Sequence, residues 1–165
     1  MPEAVIVDAI RTPIGRAGKG SLKAVRADEL AALPIRTLIE RNPDVDFAQT
    51  NDVLMGAASG VGEQGYNVGR NAALLAGLDH HVPGCTVNRF CASSLMTIRM
   101  ASHAIRAGEG DQYIAAKVRF ENEGRKDLVF RKDIAKTPEL FFNIVRVVCQ
   151  PDGIIAIAEE AGVLG

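Results

Sequence analysis

Residues 84–107, GCTVNRFCASSLMTIRMASHAIRA, decide the fold: an apolar, β-branched run gives way at Cys91 to small residues and then to a helical pattern. On a helical net Leu95, Ile98, Ala101 and Ile105 form one seam, and Met96, Met100 and Ala104 form a second beside it. Only Arg99, Ser102, His103 and Arg106 remain as a polar stripe, so this helix requires cover over most of its circumference. Gly108 supplies its C-terminal stop. PGCTVNRF, residues 83–90, is the strand that feeds it.

The alternation of strand and helix extends to both sides. AVIV (4–7) reads as a strand buried on both faces, followed by the loop RTPIGRAGKGS (11–21). A phosphate-binding loop needs Gly, four residues, then Gly-Lys-Ser/Thr. Here Gly20 follows Lys19 and Pro13 takes the place of the first glycine, so a solvated loop is the reading. Asp28 is a candidate cap for a helix that buries Leu30, Leu33, Leu38 and Ile39 and ends near Asn42-Pro43. Pro34 removes a backbone donor inside it, which predicts a kink or a helix that begins at Leu33. VLMGAAS (53–59) is a second strand, GVGEQG (60–65) a glycine-rich loop, and Asn67 to Ala76 a helix closed by Gly77. QYIAA (112–116) is a fourth strand. Beyond Ala116 charge becomes denser and the period is lost. ELFFNIVRVV (139–148) fits a helix opened by Pro138 or a buried strand, Pro151-Asp152-Gly153 is a turn, and residues 154–165 are a strand or short helix. Strands alternating with helices define an α/β class.

Composition bounds the function. A chain of 165 residues is long enough for one domain with its own core. A formal net charge of −1 with 24% charged residues offers no electrostatic footprint for nucleic acid or an anionic membrane. Aromatic content of 5% without tryptophan argues against base stacking. No run approaches the roughly 20 apolar residues of a membrane span, and MPEAVIVDAIRTPIG lacks the features of a secretory signal, so a cytoplasmic location is expected. Cys85, Cys91 and Cys149 form no CxxC pair and have no histidine at ligand spacing. Free thiols, no disulfide framework and no metal site are the expectation.

A thiol becomes a strong nucleophile when its thiolate is stabilised, and the start of a helix does this with unpaired amides and the positive end of the peptide dipoles. The same amides can hold an oxyanion when the sulfur attacks a carbonyl. Cys91 occupies such a junction, and Ala92, Ser93 and Ser94 leave room for an acyl group. The competing reading makes Cys91 a small core residue, as cysteines commonly are. Position alone leaves both open, and Cys85 and Cys149 are weaker candidates. A base is harder to find. His103 lies roughly 18 Å along the same helix by helical rise, and His80 and His81 read as exposed loop residues.

Three blocks, VNRFCASSLMTIRMASHAIRAGEGD (87–111), AVIVDAIRTPIGRAGKGSL (4–22) and GEQGYNVGRNAALLAGL (62–78), closely resemble the amino-terminal region of thiolases, over residues 1–116. The resemblance implies a mixed sheet layered with helices, the amino-terminal half of the thiolase fold. Ketoacyl synthases share that architecture, but their blocks match less well. The resemblance also makes Cys91 the residue that takes an acyl group from a coenzyme A thioester. That group then leaves on a second coenzyme A or is attacked by the enolate of acetyl-CoA. Acyl-CoA and coenzyme A are the implied partners, with no tightly bound cofactor and a place in fatty acid metabolism.

Thiolases also use a histidine in a Gly-His-Pro block, a second cysteine in a Cys-x-Gly block and an Asn-His pair. HVPG (81–84) and Cys149-Gln150-Pro151 do not match the first two, and no Asn-His pair occurs. Lys117-Val118-Arg119-Phe120-Glu121 departs from the family, so residues 117–165 read as a divergent tail and the chain as a truncated thiolase. The apolar seams after Cys91 then lack their usual cover, and each exposed side chain forfeits roughly 1.5–3 kcal/mol. A homodimer or tetramer, a partner chain over this helix, or a tail folded onto it is expected. An acyltransferase and a non-catalytic fragment acting through subunit association both remain open.

Overall fold

The computed structural model describes residues 2–13, 21–118 and 143–150. Five strands, β1 (Glu3–Arg11), β2 (Asp52–Ala57), β3 (Gly84–Val87), β4 (Gln112–Val118) and β5 (Asn143–Gln150), form one sheet in the order β1-β5-β4-β2-β3. β4 and β3 flank β2 in parallel, and β5 runs antiparallel to both β1 and β4. The α/β expectation of a mixed sheet therefore holds.

The two-residue period of the strands sorts side chains to opposite faces. Val53, Met55 and Ala57 of β2 join Ile114, Ala116 and Val118 of β4 on one face. There α1 (Ala27–Arg41) and α2 (Val68–Leu75) cover them with Leu30, Ile35, Leu38, Val68 and Ala72. Leu54, Tyr113 and Ala115 point the other way, against Ala101 and Ile105 of α3 (Ser93–Ala107). The result is a helix-sheet-helix sandwich in which β3, at the edge, delivers the chain to α3. No helix among the described residues is long and apolar enough to cross a membrane.

Several elements differ from the sequence reading. β1 extends well past Val7, with a register shift between Ile6 and Asp8. The buried Asp8 accepts from the Ala9 amide (2.7 Å) and from Asn42 Nδ2 (2.9 Å), tying β1 to the end of α1. Asp28 is not the cap of α1. The capping position is Arg26, and Asp28 sits in the first turn, where its carboxylate takes Arg26 Nη2 (2.8 Å) and the Glu29 amide (3.0 Å). That guanidinium and the helix start hold the Asp28 carboxyl below its usual range. α1 also does not begin at Leu33; it runs through Pro34. One missing donor there is outweighed by burial of Ala31, Ala32, Ile35 and Leu38 on the sheet.

α2 is closed by Gly77 at φ 87° as expected, while Asn67, read from sequence as the first helical residue, is its cap, with Oδ1 accepting from the Arg70 amide. Residues 143–148, open between helix and strand in the sequence, are β5. The glycines at 15, 18 and 20, the helical option at 138–142 and the readings at 151–165 lie outside the described residues.

Candidate active site

β3 stops at Val87, earlier than the sequence suggested, because the next three residues turn the chain sharply. Asn88 Oδ1 accepts from the Phe90 amide (2.9 Å), and Asn88 Nδ2 donates to the Ala58 carbonyl (3.3 Å) beyond the end of β2. Phe90 adopts φ 50°, a left-handed conformation unusual for a bulky residue. A single 3-10 turn, Phe90–Ala92, then leads into α3. Cys91 lies in this turn, exposed, two residues ahead of α3 rather than directly after the strand. The residue before α3 is Ala92, which carries no capping oxygen, so no side-chain cap meets the positive end of the helix.

β3 is locked to α2 on its other side. Asn67 Nδ2 donates to the Gly84 carbonyl (2.6 Å), and Thr86 Oγ1 donates to Asn67 Oδ1 (2.9 Å) while accepting from the Gly69 amide (3.1 Å). Gly56 of β2 makes room for the start of α3: a Cβ there would lie 2.8 Å from the Ser93 carbonyl carbon and 2.9 Å from the Ser94 nitrogen. The most buried line of α3 is Ser93, Thr97, Ala101 and Ile105. This line is narrower and more polar than the two seams read from sequence. Met96, Ile98, Met100 and Ala104 are half-buried, and Leu95 is 69% exposed. Small side chains let the helix lie close on β2, and Thr97 Oγ1 returns its proton to the Ser94 carbonyl (2.7 Å).

The other candidates separate cleanly. Cys85 is half-buried in β3, and burial together with the Asp52 carboxylate pushes its thiol up to about 11. Cys149 lies in β5 opposite Ala4. His103 is exposed on α3, and His80 and His81 are exposed in the connection after α2. Asp79, His80 and His81 bring ligand atoms within 4.8 Å of one another. The carboxylate already accepts from the His81 amide (2.8 Å), and the Arg70 guanidinium donates to the His80 carbonyl (2.7 Å) and to that of Val82, so this is a self-capped surface turn beside a fixed positive charge.

The Cys85 shift carries a pH prediction. Below about pH 9 the thiol is protonated in both states; above it the unfolded chain releases a proton that the folded chain keeps until about 11. Stability is therefore expected to fall as pH rises through that window, with Tyr113, whose phenol burial also raises, acting in the same direction. Urea midpoints measured from pH 8 to 11 should fall less steeply in Cys85→Ala than in the parent; equal slopes would remove the thiol from the account.

The fold and the turn define a three-layer α/β domain with an exposed cysteine between an edge strand and the start of a helix. Within it, the model of the thiolase N-terminal domain matches residues 4–136, and the chain belongs to the thiolase family. It is 58% identical over 118 residues to the beta-ketoadipyl-CoA thiolase of Acinetobacter baylyi, covering 72% of this chain and 29% of that protein. It is 50% identical over 132 residues to the 3-oxoadipyl-CoA/3-oxo-5,6-dehydrosuberyl-CoA thiolase of Escherichia coli K12, covering 80% and 32%. It is 45% identical over 118 residues to the 3-ketoacyl-CoA thiolase of Idiomarina loihiensis, covering 72% and 30%. The chain thus spans about three-tenths of the length of the curated relatives it matches.

Sequence reasoning missed Asn88 and Gly56 as parts of this site and read Ser93 only as a small residue leaving room for an acyl group, whereas it is fully buried and bonded back to Arg89 and Phe90. A serine at a helix start reads as a cap, and nothing local marks it as buried. The backbone strain at Phe90 has no signature in a residue type that disfavours it.

Proposed function

We propose that this chain carries out the acyl-accepting step of a thiolase on coenzyme A thioesters, with Cys91 as the nucleophile. The observation that carries this reading is the exposed thiol beside the uncapped start of α3. The Cys91 thiolate attacks the thioester carbonyl, the positive end of the α3 peptide dipoles stabilises the oxyanion, and the carbon–sulfur bond to coenzyme A breaks as the new one forms. Coenzyme A leaves as a thiolate and takes up a proton. In condensation the acetyl group is then taken by the enolate of acetyl-CoA; in thiolysis the Cys91 thiolate instead attacks the 3-keto carbon of a 3-ketoacyl-CoA, the C2–C3 bond breaks as acetyl-CoA departs as its enolate and takes up a proton, and the acyl group left on Cys91 passes to coenzyme A.

No tightly bound cofactor is needed, and a cytoplasmic setting keeps the thiol reduced. On this reading residues 1–116 are the thiolase-derived part and residues 117–165 a tail. The Gly-His-Pro and Cys-x-Gly blocks do not occur in these residues, so the reading assigns only the first half-reaction. Incubation of the parent chain with acetyl-CoA, followed by intact mass and peptide mapping, tests it. One acetyl group on Cys91 is expected, and no acetylation at any pH would sink the proposal.

A second reading, a non-catalytic fragment acting through subunit association, is favoured by Phe90 and Leu95, 76% and 69% exposed beside the same turn. It expects a homodimer, a tetramer or a complex with a partner chain. Light scattering on the purified chain checks this, a monomer at every concentration arguing against self-association.

A further inference from the structure

We propose that Ser93, helped by Asn88, is a positioning residue for Cys91; the proposal rests on Cys91 being the acyl acceptor. The Ser93 side chain is fully buried, and its hydroxyl reaches back past residue 91 to the backbone of Arg89 and Phe90. It accepts from the Arg89 amide (2.9 Å) and donates to the Phe90 carbonyl (2.6 Å), which also receives the Ser93 amide. A capping serine would serve the amides of its own helix; this one closes a loop around the cysteine instead.

The loop needs closing because Phe90 sits at φ 50°, where a side chain with a Cβ is disfavoured. Asn88 holds the Phe90 amide and Ser93 holds its carbonyl, so both ends of the strained residue are fixed. From below, Ser93 rests on the bare Cα of Gly56, leaving the turn no room to sink toward β2. The strained residue turns the thiol out to solvent ahead of α3. Without the hydroxyl, Phe90 relaxes to negative φ and the sulfur leaves the helix start.

The test is alkylation of Cys91 by iodoacetamide in the full chain, followed by peptide mapping across a range of pH and compared with a short cysteine peptide. The parent is expected to react faster than the peptide at neutral pH. Ser93→Ala should slow Cys91 about tenfold there and bring its rates across the pH range down toward those of the peptide. Ser93→Thr, which keeps the hydroxyl, should restore the parent profile. A general loss of packing would not produce that pattern.

An unchanged profile in Ser93→Ala overturns the positioning role and leaves the acyl-acceptor reading standing. A parent that reacts no faster than the peptide overturns both. Should Ser93→Ala fail to fold, Asn88→Ala at an exposed position carries the test: the same shift supports the proposal, and a parent-like profile overturns it.

Discussion

Cys91→Ala is expected to take up no acetyl group from acetyl-CoA under conditions in which the parent chain takes up one, while unfolding at nearly the same temperature. The thiol is exposed, so its removal opens no cavity, and substitutions of this kind move stability by about 0.5 kcal/mol or less. Loss of labelling is then loss of the nucleophile and not of the fold. Cys85 is unable to substitute. It is half-buried, and its thiol, pushed up to about 11, remains protonated at neutral pH. Intact mass and thermal unfolding on the same samples check both halves. Equal acetylation of Cys91→Ala and the parent would remove Cys91 from the mechanism.

Gly69→Ala is expected to destabilise the chain by about 2 kcal/mol, against the direction that helix propensity predicts. Alanine is favoured over glycine inside a helix by about 1 kcal/mol, so an open site would gain stability. Gly69 is not open. A Cβ there meets the Cys85 carbonyl oxygen and lies 2.9 Å from its carbon and 3.0 Å from the Met55 Cβ. Gly84 makes the reciprocal approach, where a Cβ would be 2.9 Å from the Arg70 Cα and nitrogen. Backbone on both sides cannot swing away as a side-chain tip can, and overpacking of this kind costs about 1–3 kcal/mol. The move would also part the Gly69 amide from Thr86 Oγ1 and loosen β3 where it leads to Cys91. Circular dichroism should record a melting temperature lower by several degrees, and a rise would show that α2 can lift off β3.

Local signals made much of this protein legible. The helix read from Asn67 to Ala76 is α2, Gly77 and Gly108 marked helix ends, and the strands read at 53–59 and 112–116 are β2, which stops at Ala57, and β4. Asp28 and Pro34 misled because local rules see a cap and a breaker, whereas the Arg26 guanidinium and the sheet beneath α1 make the actual contacts. Residues 139–148 stayed ambiguous because an apolar run satisfies either period until β1 and β4 offer hydrogen bonds on both sides.

The sequence by itself determined the order of strands and helices as far as β4 and the placing of a cysteine at a strand-to-helix junction, since both depend on neighbours within a few residues. Only the tertiary structure decided which thiol faces water, which is raised by burial beside Asp52, and that Ser93 and Gly56 hold the turn. Those outcomes depend on groups far apart in the chain, and burial and close backbone contact exist only once the layers have packed.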